Sequence, residues 1–215
     1  MRAHTALSRV QRGLEALYRV DTGVDVHDFV IDEAARDTFA PLRRPREQLL
    51  VSHDSAGDEL SLALFIAPDV LATLHAHDPS HGLGDHNFGD FLLAVEGVSH
   101  FIYTVCCARA ERRVSQLELE LQAEVDKYVT CLLASDAKPE ASEPLRRRLF
   151  RDPCYEPDLD DDERDRYEIA NDNADRYAAW LEGTYVASRR IPDMLAEIRR
   201  FYRRGLSDKL ARCAA

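Results

Sequence analysis

Residues 87–107, NFGDFLLAVEGVSHFIYTVCC, decide the fold of this chain. At about 100° per residue, apolar side chains occupy almost the whole circumference of a helix that begins at Phe88 and ends near Cys107. Asn87 is its expected N-cap, with Asp90 three residues later. A helix that is apolar on all sides is buried in a core rather than laid on a surface. The segment therefore predicts a buried helix.

Two polar residues lie on one stripe of this helix. Glu96 is the only charged residue between Asp90 and Arg109, and His100 follows one turn later on the same face. A buried carboxylate without a partner is costly, so such a group is either neutral or paired. Glu96 and His100 are therefore the first candidates for a functional site.

The next predicted helix carries a second pair of ionisable residues. Ser115 and Glu118 form the S-x-x-E pattern that opens a helix, which continues to about Leu133. Its inward face is predicted to consist of Leu117, Leu121, Val125, Tyr128 and Leu132. Glu124 falls inside the edge of that face and Glu120 lies at its border. Glu118, Gln122 and Asp126 are predicted to point outward.

Three explanations of these polar residues are open. One is a divalent metal ion such as zinc, held by His100, Glu120 and Glu124, with Glu96 as the general base. A second is a closed network of hydrogen bonds and ion pairs with arginines such as Arg109 or Arg176. The third is that the helical wheel overstates how deeply the residues are buried.

The flanking segments predict a mainly α fold with one small β-hairpin. Strands are expected at 47–54 and 59–67 around a turn at Ser55–Asp58. Residues 24–40 fit either a helix or a short strand. Helices are expected at 5–20, 70–76, 163–187 and 192–212. The predicted organisation is a helical core at 1–134, an acidic, proline-containing linker at 135–165, and a C-terminal helical segment at 166–215 that packs on the core.

This order of elements resembles the minimal zincin-type metallopeptidases over residues 47–133. The relevant stretches are VEGVSH at 95–100 and ELQAEVDKYVTCLL at 120–133, where that family has an H-E-x-x-H helix and a downstream glutamate helix. The resemblance implies a zincin-like scaffold and a metal site. Val95 and Ser99 stand at the two histidine positions, and His100 is one place too far, which turns it by about 100°. We therefore expect a degenerate zincin-like scaffold and not an ordinary peptidase.

Composition narrows the class of protein. The net charge of −11 argues against general nucleic-acid binding. The sequence contains no run of 18 or more apolar residues, so we expect no membrane span. The first ten residues lack the apolar segment of a secretory signal, so we expect no such signal. Five cysteines without a C-x-x-C pair favour reduced thiols in a cytoplasm. The 25 arginines against 3 lysines are typical of GC-rich bacterial genomes.

Charge and histidine clusters give further candidate sites. The sequence has an acidic run at 156–165 and a basic tail at 189–212. Both can be solvated faces, and the basic tail can alternatively be a docking surface for a protein partner. The residues of that surface are Arg199, Arg200, Arg203 and Arg204. A loop with His75, His77, His81 and His86 is either a polar surface or a metal-binding loop.

The favoured function is an intracellular bacterial binding or accessory protein, and the alternative is a metal-dependent hydrolase with a Glu/His/Glu site between two helices.

Overall fold

The computed structural model describes residues 5–40, 45–53, 60–151 and 159–214. The described elements are, in chain order, α1 (Ala6–Tyr18), β1 (Val30–Ile31), α2 (Glu33–Phe39), β2 (Glu47–His53), β3 (Leu60–Ile66), α3 (Pro68–Ala76), α4 (Phe88–Arg109), α5 (Gln116–Ala134), α6 (Pro139–Phe150), α7 (Asp161–Leu181), α8 (Ile191–Tyr202) and α9 (Leu206–Cys213). The prediction of a mainly α fold with a small β element is confirmed.

The chain divides into two compact units. The first comprises Met1–Glu15 and Val20–Arg113, and the second comprises Ala16–Arg19 and Val114–Ala215. Helix α5 therefore groups with the C-terminal helices, whereas the sequence suggested that a core ends at residue 134.

The first unit contains a three-stranded sheet in the order β1-β3-β2. Strands β2 and β3 are antiparallel, with Glu47 opposite Ile66, as the predicted hairpin requires. Strand β1 pairs in parallel with β3, so the segment at 24–40 forms both a short strand and a helix. The predicted turn at Ser55–Asp58 lies outside the described residues.

Helix α4 is buried along most of its length, as predicted. Within the described part of the chain it is the one helix long and apolar enough to cross a membrane, and 72% of its apolar window is buried. A core helix passes the same test of length and composition, so that finding is only weak support for a membrane span. Asn87 is the N-cap residue of α4, as predicted, but its side chain makes no hydrogen bond to the first turn of the helix.

Gly97 allows α4 to lie close to the sheet. A Cβ atom at this position would come within 2.9 Å of both Glu47 Oε1 and Ile66 Cδ1. Those two residues are cross-strand partners at one end of β2 and β3. The absence of a side chain at Gly97 thus brings the middle of α4 against the start of β2.

The second unit is helical throughout its described residues. Ser115 caps α5 by accepting a hydrogen bond from the Glu118 amide at 3.2 Å, as predicted. Helix α6 occupies part of the segment predicted as a linker. Its first proline, Pro139, does not prevent the helix, because it lies in the first turn, where a missing N–H costs nothing. The predicted helix at 192–212 is two helices, α8 and α9, separated at Gly205.

The outward face predicted for α5 is wrong. Glu118, Gln122 and Asp126 are all buried. Tyr18 donates a hydrogen bond to Asp126 Oδ1, which also accepts one from Gln122 Nε2 at 2.8 Å. Lys209 Nζ donates to Gln122 Oε1 at 2.7 Å. These polar side chains are inside because α1 and α9, far away in sequence, supply their partners.

Candidate metal site

Glu96 and His100 lie in the buried middle of α4. Their exposed fractions are 9% and 6%, as low as those of many apolar core residues. The i,i+4 spacing places both on one face of the helix, because 3.6 residues make a turn. The burial that the sequence predicted for this pair is confirmed.

Glu47 joins this pair from the first position of β2. Its Oε1 atom lies 3.7 Å from His100 Nδ1, and the two side chains are 8% and 7% exposed. Sequence reasoning missed Glu47, because it lies 53 residues before His100 in a strand predicted for its apolar residues alone. The one available signal was Gly97, a glycine inside a helical pattern, which marks a close approach by another segment.

A carboxylate beside Nδ1 has a definite chemical consequence for an imidazole. Histidines that bind metals commonly give one ring N–H to a carboxylate or carbonyl, which fixes the tautomer and the ring orientation. At 3.7 Å the Glu47 carboxylate is too far away for a hydrogen bond, but its negative charge favours the tautomer with the proton on Nδ1. Nε2 is then the nitrogen with a lone pair for a ligand.

In the second unit, Glu120 and Glu124 differ in their surroundings on α5. Glu120 is buried, with an exposed fraction of 8%. Glu124 is at the edge of the buried surface, and its Oε1 accepts a hydrogen bond from Lys127 Nζ at 2.7 Å. Lys127 thus neutralises Glu124, whereas the buried state of Glu120 suits a ligand.

Glu96, His100 and Glu120 are a Glu/His/Glu set of buried residues, each of a type that binds divalent metal ions. Carboxylate oxygen and imidazole nitrogen are ligands for zinc and for other divalent first-row metals. Two carboxylates also balance the charge of a divalent cation. Glu124, the third metal ligand expected from the sequence, is paired with Lys127 instead.

Cys131 and Cys213 do not add a thiolate to the candidate site. Burial raises the pKa of Cys131 to about 12 and that of Cys213 to about 11. Both thiols are therefore protonated near neutral pH, and a protonated thiol is a poor ligand and a poor nucleophile. Cys154 lies outside the described residues.

A separate cavity of about 360 Å³ lies in the first unit. Its walls include Arg36, whose guanidinium lies 4.2 Å from the centroid of the Phe65 ring, and Arg46, which is paired with Asp69. Glu96 and His100 do not line it. The cavity is therefore not an opening onto the candidate ligands.

The four arginines of the expected docking surface mostly bind groups of their own unit. Arg199 Nε donates to the carbonyl of Leu17, and Arg203 Nη2 donates to the carbonyl of Tyr18. Arg200 is exposed but pairs with Glu197, and Arg204 is half-buried. Arg199 and Arg203 thus stabilise the C-terminal end of α1, and Arg200 is neutralised by Glu197.

Comparison with known proteins finds no matching family model, no matching curated protein and no matching solved structure.

Proposed function

We propose that this protein binds one divalent metal ion through Glu96, His100 and Glu120 and is a metal-dependent hydrolase. The observation that carries the proposal is that Glu96, His100 and Glu120 are all buried. Glu96 and Glu120 together carry a charge of −2 when both are ionised. A bound divalent ion offsets both, and the imidazole completes a ligand set of ordinary composition.

Within this proposal Glu47 orients His100. The 3.7 Å approach of Glu47 Oε1 to Nδ1 supports metal binding through Nε2. Glu96, expected from the sequence as the general base, is here a ligand. When bound, the ion would lower the pKa of a coordinated water and so supply a nucleophile at neutral pH. Because the ligands are less than 10% exposed, we propose small substrates rather than folded proteins.

The zincin-like scaffold remains part of the proposal. A hairpin, a buried helix with Glu96 and His100, and a following helix with Glu120 occur in the order that the resemblance implies. The ligands differ from an H-E-x-x-H pair, since His100 takes part and position 95 is a valine. An ordinary peptidase is therefore not the activity that we propose.

Metal analysis of the untagged protein, equilibrated with Zn²⁺ and dialysed, tests this function. We expect tightly held zinc in the wild type and in the control His75→Ala, where an exposed histidine is removed. We expect a loss of at least tenfold in affinity in His100→Ala and Glu120→Gln. Hydrolysis of a panel of small esters, amides and phosphate esters should require the ion. Zinc affinity unchanged in both site variants would refute the proposal.

A binding or accessory role, with a protein partner at the basic tail, is the second candidate. The observation in its favour is that Arg200 and Arg203 are exposed at the C-terminal end of α8. An acidic partner should be recovered by the wild type and lost on Arg200→Glu with Arg203→Glu. The control is Arg189→Glu, at another exposed arginine. Equal recovery by all three proteins would contradict this role for the tail.

A further inference from the structure

Two histidines of the first unit, His77 and His86, form a pair at the surface. His77 follows the last residue of α3, and His86 lies two residues before α4. Their ring centroids are 4.8 Å apart, and the ring planes meet at 67°. Both side chains are exposed, so the pair can be reached from solvent.

The backbone around the pair is held by one buried side chain. Asn87, only 1% exposed, donates from Nδ2 to the carbonyls of His77 and Gly82 at 3.0 and 3.1 Å. Its Oδ1 accepts from the amide of Gly84 at 2.9 Å. These three bonds tie the end of α3 to the turn before α4. The two imidazoles are thus brought together by the fold.

Gly84 supplies the space for the His86 ring. A Cβ atom on Gly84 would lie 2.8 Å from His86 Cε1 and 3.0 Å from Nδ1. Any larger residue at this position must push the ring away from its present place. The position of His86 next to His77 therefore depends on a glycine as well as on Asn87.

From this geometry we propose a second metal site, at which His77 and His86 together bind a divalent transition-metal ion that prefers imidazole, such as Zn²⁺, Ni²⁺ or Cu²⁺. Metal–nitrogen bonds of about 2.0–2.1 Å put each ring centroid about 3.2 Å from the ion. Two rings at a tetrahedral angle then have centroids about 5 Å apart, close to the 4.8 Å seen here. Neutral imidazole suits these metals better than it suits Mg²⁺ or Ca²⁺.

This site is independent of the buried Glu/His/Glu group and shares no residue with it. Retention of the untagged full-length protein on immobilised Ni²⁺ tests it, because a resin-bound ion reaches only exposed histidines. We expect His77→Ala and His86→Ala to elute at a several-fold lower imidazole concentration than the wild type. The matched controls His75→Ala and His81→Ala remove exposed histidines of the same segment, and they should elute like the wild type.

Two further variants separate a paired site from the mere presence of histidines. Gly84→Ala keeps both imidazoles but displaces one, and it should elute early as well. His100→Ala, which removes the buried candidate ligand, should elute like the wild type even if the proposed hydrolase function fails. The proposal would be overturned if His77→Ala and His86→Ala eluted at the same imidazole concentration as the wild type. It would also be overturned if His75→Ala and His81→Ala eluted as early as those two variants.

Discussion

At the residue scale, the contact between Gly97 and Glu47 explains how an acidic side chain from a strand reaches a helix histidine. Glu47 is placed by the register of β2, in which it faces Ile66. Gly97 removes the one side chain of α4 that would occupy the same volume. One hydrogen atom in place of a methyl group therefore decides whether Glu47 can lie beside His100.

Gly97→Ala is expected to destabilise the protein. The added methyl group must displace Glu47 and Ile66 in a packed interior, at a cost of about 1–3 kcal/mol, which exceeds the gain of about 1 kcal/mol in helix propensity. The control is Gly89→Ala in the same helix, where a Cβ meets nothing within 4 Å and the change should be neutral or stabilising. Urea unfolding measures both, and equal stabilities of the two variants would contradict the close packing.

The Tyr18–Asp126 hydrogen bond is a second effect of single residues. Burial, reinforced by the nearby Asp126 carboxylate, raises the pKa of Tyr18 well above its ordinary value, so the hydroxyl stays protonated and donates. Tyr18→Phe keeps the stacking on Tyr202, whose ring centroid is 4.0 Å away. We expect a loss of about 1.5–3 kcal/mol in the free energy of unfolding, the range for hydrogen bonds to charged groups.

A double-mutant cycle checks this assignment. Tyr18→Phe, Asp126→Ala and the double variant should be non-additive by more than about 0.5 kcal/mol in urea unfolding, because each single change breaks the same bond. Additive losses would mean that Tyr18 and Asp126 act separately.

At the element scale, helices α8 and α9 are joined by a buried carboxylate. Glu197 on α8 accepts from Arg212 Nε of α9 at 2.8 Å and from Arg200 Nη2 at 2.7 Å. Burial by itself raises the pKa of Glu197, but the hydrogen bonds from Arg212 and Arg200 outweigh burial and hold the pKa below its ordinary value. The charged form is therefore the one that stabilises the helix pair.

This shift predicts the pH dependence of a variant. A carboxylate with a lowered folded-state pKa contributes stability above its unfolded-state pKa of about 4.3, and it loses that contribution as the pH falls through the folded-state value. Glu197→Gln should cost about 1–3 kcal/mol at pH 7, and the difference from the wild type should shrink towards pH 3. Asp193→Asn, at an exposed ion pair with Arg190, should change stability by less than about 1 kcal/mol. A difference for Glu197→Gln that is constant from pH 7 to pH 3 would contradict this prediction.

Elements with a strong local pattern were predictable from the sequence, and elements set by distant partners were not. Helix α4 follows from its long apolar run, and the two strands of the hairpin follow from short apolar runs on either side of a turn signal. Helix α6 was missed because its prolines resemble those of a loop, although Pro139 is at a position that helices tolerate. The faces of α5 were misjudged because the partner of Asp126 comes from Tyr18, more than 100 residues earlier.

At the scale of the whole molecule, the sequence identified three of the four candidate residues. Glu96 and His100 stand out because each is a polar residue inside an apolar run, and Glu120 follows from the pattern of the next helix. Glu47 could not be found in this way, since its role depends on the register of a sheet and on the space left by Gly97. The pairing of Glu124 with Lys127 was visible in the sequence as an i,i+3 spacing.

Anomalous diffraction from a Zn²⁺-soaked crystal of the wild-type protein tests the proposed buried metal site most directly. Data collected above and below the zinc absorption edge locate the ion without reference to activity. We predict an anomalous peak bonded to His100 Nε2 and to carboxylate oxygens of Glu96 and Glu120, with bonds of about 2.0–2.2 Å. A map with no peak at these residues, or with a peak at His77 and His86 alone, would contradict the buried metal site.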